Sequence, residues 1–227
     1  MLKLIALVTM IIDHVGVVII LSIPSATEPI ITFGTMQMSM YSMFRITGRL
    51  AFPLYVFLLV EGFLHTHDRK KYGINLFAFA IISEIPWNLE HTGSLFYAEQ
   101  NVFFTLFFGY VGICCYENFK KDNIKKILAL SGLFILSFVF KADYGVKGYC
   151  FILFMYIMRK DKITKSLIGS CFFSLQPVIL ISFLIMSLYN GERGFIKGKV
   201  LKYLFYILYP LHIFVLYLIK LRYIGYS

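Results

Sequence analysis

Long apolar runs, separated by short connections that carry most of the positive charge, dominate this chain and leave it few folds to choose from. A helix needs about 20 apolar residues to cross the roughly 30 Å hydrocarbon core of a bilayer, and the runs approach that length. They predict helices over 4–23, 45–64, 72–89, 101–116, 124–140, 146–158, 166–188 and 201–220. The first stops at Pro24, and a polar connection over 25–41 follows. The run over 146–158 is short for a full span, which leaves it tilted, broken or paired with a thinner region of the bilayer. Composition agrees: 59% of the residues are hydrophobic and 15% charged, with a mean hydropathy of +0.77. Soluble domains carry about 25% charged residues. The expectation is an all-α, polytopic membrane helical bundle of about eight transmembrane helices. It forms a single domain over 1–227, with no sizeable water-soluble part.

The formal net charge is +10, but it does not point to nucleic acid. Basic residues cluster between apolar runs, as topology signals do. Arg69, Lys70 and Lys71 lie in one connection, Lys120, Lys121, Lys125 and Lys126 in another, and Arg159, Lys160, Lys162 and Lys165 in a third. If the helices alternate, Lys3, Lys220 and Arg222 share that side, which predicts a cell-membrane protein with both termini cytoplasmic. The exception is the connection carrying Arg193, Lys197, Lys199 and Lys202. Either the helix count is off by one, or these residues fold back into the bundle. Cys114, Cys115, Cys150 and Cys171 all lie in apolar segments, and none has metal-ligand spacing with a histidine. They read as small buried residues, and no metal is expected. Asp13-His14 interrupts the first apolar run, and no small-residue cleavage site follows it, so it reads as a retained helix.

Ionisable groups at mid-bilayer cost about 2.5–3.5 kcal/mol each on insertion scales, so each is a functional candidate. Asp13 and His14 sit at the centre of the first helix. Gln176 and His212 lie about ten residues into the seventh and eighth, roughly 15 Å deep at 1.5 Å per residue. Three helices thereby bring polar groups to one depth. Adjacent helical positions point about 100° apart, so Asp13 is expected to pair with an arginine of a neighbouring helix rather than to orient His14. Arg45 and Arg49, four apart, share one face at the start of the second helix. Gln176 and His212 also have a plain structural reading, as hydrogen-bonding links between helices. Phe52-Pro53, Pro86 and Tyr209-Pro210 interrupt helices beside Arg49, Glu84 and His212, and prolines at membrane depth are tolerated where a cavity or polar groups take up the freed carbonyls.

Several ordered motifs carry a resemblance. Leu2-Lys3-Leu4-Ile5-Ala6 leads to Met10-Ile11-Ile12-Asp13-His14-Val15-Gly16. Arg45-Ile46-Thr47-Gly48-Arg49-Leu50-Ala51-Phe52-Pro53-Leu54 and Glu61-Gly62-Phe63 come next. Ser83-Glu84-Ile85-Pro86, Asp143-Tyr144-Gly145, Tyr189-Asn190-Gly191, Lys202-Tyr203, Phe205-Tyr206 and Tyr209-Pro210-Leu211-His212 complete the set. Together they resemble the TraX family, named for a conjugation protein that acetylates pilin, and through it the wider transmembrane acyltransferases. The resemblance implies acyl transfer from cytosolic acyl-CoA, with acetyl-CoA as donor, to a peptide or glycan acceptor reached from the outer side. It makes His14 the catalytic histidine, with Asp13, Arg49, Glu84 and His212 in the catalytic site. Arg45, Gln176, Asp143 and Lys202 are the expected substrate-binding residues. The partners implied are acyl-CoA, the acceptor and the lipid bilayer, with no nucleic acid.

The residue types suit that chemistry. Neutral imidazole can take the acceptor's proton near pH 7, or hold the acyl group itself. A guanidinium such as that of Arg49 can stabilise the oxyanion of a tetrahedral intermediate. Two other classes stay open. Midplane polar groups and proline-broken helices also describe a small proton- or ion-coupled transporter, although no internal repeat is visible. A non-enzymatic assembly factor for conjugation or secretion would need no catalytic histidine.

Overall fold

The computed structural model describes residues 1–34, 36–173, 176–191 and 198–223. It is nearly all helical. Helix α1 (Leu2–Val18) is followed by two short 3-10 turns, Ile20–Ser22 and Pro24–Thr27. Strands β1 (Pro29–Phe33) and β2 (Met36–Ser39) form an antiparallel hairpin. This corrects the all-α reading: 25–41 was expected as a plain polar connection. Gly34, with φ +61, takes up the left-handed backbone of the turn that a residue with a Cβ would resist.

Helix α2 (Met40–Gly48) begins on a Ser39–Ser42 capping box and α3 (Ala51–His65) follows it. One continuous helix from 45 to 64 is therefore corrected to two segments. The break at Arg49–Leu50 falls where Pro53 would need the Arg49 carbonyl: proline has no N–H to give it, and its ring crowds the residue four back. Next come α4 (Arg69–Thr92), α5 (Val102–Asn118), α6 (Asn123–Val139) and α7 (Gly145–Ile157). Asp68, Asn101 and Asp122 cap α4, α5 and α6 through their side chains, each satisfying an otherwise orphaned N–H. Helices α8 (Lys162–Cys171), α9 (Pro177–Ser187) and α10 (Lys199–Tyr223) complete the chain.

Contacts between side chains fix the direction of each helix. The Tyr110 hydroxyl donates to the Arg69 carbonyl at 2.9 Å while Phe103 packs near Phe79, so α5 runs antiparallel to α4. Gly148 meets Thr105 and Gly109 meets Ile152, so α7 runs parallel to α5. The connections bearing Arg69–Lys71, Lys120–Lys121 and Arg159–Lys160 thus share one end of the bundle, the basic end. The turns 93–101 and 140–144 lie at the opposite end, joined by a bridge between Gln100 and Ala142.

The expected seventh helix, 166–188, does not cross. Gly169 packs on Phe183, and Lys165 and Tyr189 both reach Phe57 of α3. Helices α8 and α9 therefore form an antiparallel hairpin that returns to the basic end. Pro177, unable to donate to the Phe173 carbonyl, makes a continuous helix unfavourable there. Helix α10 then starts from the basic end: Tyr206 stacks on Phe79 at 4.9 Å, and Lys220 lies 3.9 Å from Glu90 near the end of α4. So Lys220 and Arg222 are at the end opposite Arg69–Lys71, which corrects the alternating path that put them together. The anomaly at 193–202 disappears, since the helices flanking it meet the basic end. Residues 192–197 lie outside the described residues, as does the side chain of Lys202.

The surface is inverted relative to a water-soluble bundle. Helix α4 turns Ile74, Phe77, Ile81, Ile82 and Ile85 outward, and α6 turns out Ile127, Leu128, Ile135, Phe138 and Val139. Apolar faces of this size are not stable against water. Among the described residues, three helical stretches are long and apolar enough to span a membrane: Leu2–Ser22, Met40–His65 and Tyr203–Tyr223. The chain is a helical membrane protein.

Candidate functional site

Helix α1 packs between α2–α3 and α10, and this sandwich gathers the polar groups. Asp13 reaches Arg45 of α2, with Nη1 to Oδ2 at 2.6 Å. Close approach of the two helices permits this: a Cβ at Gly48 would occupy the space of the Asp13 carboxylate, and one at Gly16 would come within 2.7 Å of the Phe44 Cβ. Asp13 and Arg45 keep 24% and 34% of their side chains exposed, so the pair is neither dry nor free.

His14 is placed by two acceptors. Its Nδ1 lies 2.9 Å from the Met10 carbonyl oxygen, and a carbonyl can only accept, so Nδ1 carries the proton. His212 repeats the pattern, with Nδ1 at 2.8 Å from the Leu208 carbonyl. That leaves His212 Nε2 as an acceptor, and it faces His14 Nδ1 at 3.3 Å. The His14 proton is thus shared between Met10 and His212. The remaining ring nitrogen, Nε2, keeps its lone pair and has no protein partner among the described residues. A hydrogen bond at one imidazole nitrogen fixes the tautomer and the role of the other.

These groups border a cavity of about 200 Å³ lined by Asp13, His14, Arg45, Asp143, Tyr144 and Tyr209, with Phe52, Trp87, His91 and Val102 completing much of its wall. The wall is built from α1, α2, the first turns of α3, the end of α4, the start of α5, the turn before α7 and α10, so the cavity sits toward the end opposite the basic one. Asp143 lies in the turn before α7. It is solvent-exposed as a residue and lines one side of the cavity. The protein around it still displaces part of its solvent, which pushes its carboxyl up to about 6 against the opposing pull of His91.

Other expected site residues fall elsewhere. Arg45 and Arg49 do not use a common face: Arg49 donates to Gln176 Oε1 at 2.9 Å, outside the cavity. Gln176 is not in mid-helix. It precedes Pro177 at the apex of the α8–α9 hairpin, so the contact ties that apex to the α2–α3 break. Glu84 binds the α5 N-terminus, accepting the Asn101 N–H at 3.0 Å and a second bond from the Asn101 side chain. The same Asn101 amide also donates to the Ala80 carbonyl at 2.8 Å, one turn above Glu84. Glu84 therefore stitches α4 to α5 beside the kink at Pro86.

Sequence reading missed several cavity residues. Tyr209 and Tyr144 stood inside motifs already noted for His212 and Asp143. Trp87 follows Pro86 directly. His91 stacks on Trp87 at 4.0 Å, and its Nδ1 lies 2.8 Å from a Glu90 carboxylate oxygen. It had no signal beyond its position at a helix end. Chemically, the arrangement offers a base with a fixed lone pair, an ion pair beside it, a second carboxylate and aromatic walls.

Comparison with known proteins agrees with the sequence motifs. The chain is 27% identical over 203 residues to a probable fimbrial assembly protein, FimC of serogroup H1, from Dichelobacter nodosus, covering 76% of this chain and 81% of that one. No solved structure matches it. The family described as TraX protein matches over residues 1–220, nearly the whole chain, and the protein belongs to the TraX family.

Proposed function

We propose that this protein is a membrane-embedded acyltransferase that moves an acetyl group from acetyl-CoA to an amine or hydroxyl of an envelope or secreted acceptor, a peptide N-terminus or a glycan. The observation that carries the reading is His14: a histidine on an apolar helix, its Nδ1 proton anchored by Met10 and His212, its other nitrogen free beside a cavity. In the proposed reaction the acceptor's lone pair attacks the thioester carbonyl carbon, and its proton passes to His14 Nε2. The intermediate then collapses, and His14 returns the proton to the departing CoA thiolate. Asp13 and Arg45, already paired, add little net charge to the site, so the imidazolium formed in mid-reaction draws chiefly on the Met10 carbonyl and the His212 nitrogen.

The path of the helices refines the membrane arrangement. Counting α2–α3 as one crossing and α8–α9 as a hairpin that enters and leaves by one face gives seven crossings. With the basic end cytoplasmic, α1 starts in the cytoplasm and α10 ends outside. The cavity then lies nearer the outer face, where an exported acceptor would meet it.

The test is His14→Ala. Envelope peptides and glycans from cells with wild-type and variant protein are compared by mass. An acetyl increment that depends on His14, with the variant present at normal levels, supports the reading; general base catalysis is worth about 10²–10⁴ in rate. A folded variant that keeps the increment overturns it. A second reading is favoured by the name of the fimbrial assembly relative: a non-enzymatic assembly role, in which His14→Ala leaves pili or their counterpart intact and no acetyl increment exists in the wild type.

A further inference from the structure

We infer that Tyr209 is a catalytic hydroxyl, the donor that receives the carbonyl oxygen of the acyl group as it becomes an oxyanion. The inference rests on the acyl-transfer reading and names a part of the site that reading lacks: Arg49, the sequence candidate for this role, is held away by Gln176, and Arg45 is engaged by Asp13.

Three observations meet at Tyr209. First, it is 3% exposed, and its hydroxyl has no hydrogen-bond partner among the described residues. The Val102 N–H, in the first turn of α5, interacts with its oxygen but falls short of hydrogen-bond geometry. The phenolic proton has no protein acceptor among the described residues. A buried hydroxyl left unmatched is costly to the fold, and a phenylalanine would avoid that cost in the same space. Second, Asn75 Nδ2, Ser83 Oγ, Asn88 Oδ1 and Ser182 Oγ are also unmatched among the described residues, but of this set Tyr209 Oη alone belongs to a residue that borders the cavity. Third, the ring is fixed against the proposed base. It lies edge-on to His14 at 6.2 Å and to His212 at 5.6 Å, with Phe103 packed edge-on at 5.0 Å from another side. Tyr209 and His212, three apart on α10, share a helix face.

The step balances without any further reactant. As the acceptor's lone pair forms the new bond to carbon, the C=O π pair moves onto oxygen, and the Tyr209 O–H donates a hydrogen bond to it while keeping its proton. Collapse restores the carbonyl, breaks the C–S bond and releases the hydroxyl. A preorganised donor of this kind is worth about 10²–10³ in kcat.

The test is Tyr209→Phe in the purified full chain, with radiolabelled acetyl-CoA as donor and glycinamide and glycerol as amine and hydroxyl probes. The expected result is a loss of about a hundredfold in kcat, KM for acetyl-CoA within about threefold of wild type, and a melting temperature equal to or above it. A phenylalanine variant with wild-type kcat overturns the proposal while leaving acyl transfer standing. A lowered melting temperature also overturns it, since the hydroxyl would then be serving the fold. Wild-type protein that transfers acetyl to neither probe nor any envelope acceptor removes the acyl-transfer reading, and this inference with it.

Discussion

Replacing Gly48 by alanine should weaken the protein, although alanine is the better helix former. Gly48 is the last residue of α2, and in an open helix the change would gain about 1 kcal/mol. Here the new methyl would overlap the Cβ, Cγ and Oδ1 of Asp13. Either α1 and α2 separate, at the usual overpacking cost of about 1–3 kcal/mol, or Asp13 swings off Arg45. Breaking a fully buried pair costs about 3–5 kcal/mol. Because Asp13 and Arg45 are 24% and 34% exposed, solvent takes up part of that loss, and about 1–2 kcal/mol is a fairer figure. Set against the helical gain, the net loss is about 1 kcal/mol, or roughly 2–4 °C in melting temperature for a chain of this length. The assay is the fraction of detergent-solubilised protein that stays monodisperse after stepwise heating. The decisive arm uses Asp13→Gly as background: with no side chain in the way, Gly48→Ala should stabilise by about 0.5–1 kcal/mol. An alanine variant that is more stable than wild type, or that loses the same amount in both backgrounds, refutes the reasoning.

Two further outcomes follow from the path and the cavity. Alkaline phosphatase fused after Tyr223 should be active and the same enzyme inserted at 119–122 inactive, because α10 ends opposite the basic connections; an inactive C-terminal fusion restores an even number of crossings. Asp143→Asn should help stability more at pH 7.5 than at pH 4.5. The folded protein raises this carboxyl to about 6 from an ordinary value near 3.8, so the folded state binds the proton more tightly than the unfolded one, and the wild type loses stability as pH rises through that window. Melting curves of both proteins at the two pH values check this, and a gap that is constant or narrows with pH contradicts it.

Much of the fold was legible because charge and apolar length are strong signals. The helices now seen as α1, α4, α5, α6, α7 and α10 each lie within a few residues of an apolar run bounded by polar residues. The prolines were visible too, but Pro86 and Pro210 bend helices that continue, while Pro53 and Pro177 stand just after breaks. Composition alone does not separate these outcomes; neighbouring packing decides them, and the hairpin of α8–α9 was invisible for that reason. The site was partly legible. Asp13, His14 and Arg45 stand out because ionisable groups beside apolar runs are costly, Asp143 stands out only through its motif, and the four converge on one cavity. Depth does not reveal facing direction, so Arg49, Gln176 and Glu84 were grouped with residues they do not join. Tyr209, Trp87 and Tyr144 were overlooked because aromatic residues are common along the whole chain, with 16 Tyr and 24 Phe, and one more carries no contrast.

The Asp13–Arg45 pair also governs how the chain enters its membrane. The two partners are 32 positions apart, so α1 is made and ready to leave the insertion channel well before Arg45 emerges. Released alone, α1 would bring both Asp13 and His14 into lipid, each at about 2.5–3.5 kcal/mol, and α2 would later do the same with Arg45. Leaving together, the two segments neutralise each other at the moment of transfer. The hairpin of β1 and β2 between them keeps the linking segment short and brings α2 back alongside α1. A spacer that lengthens the link over 23–39 is therefore expected to lower insertion yield before it touches the finished site.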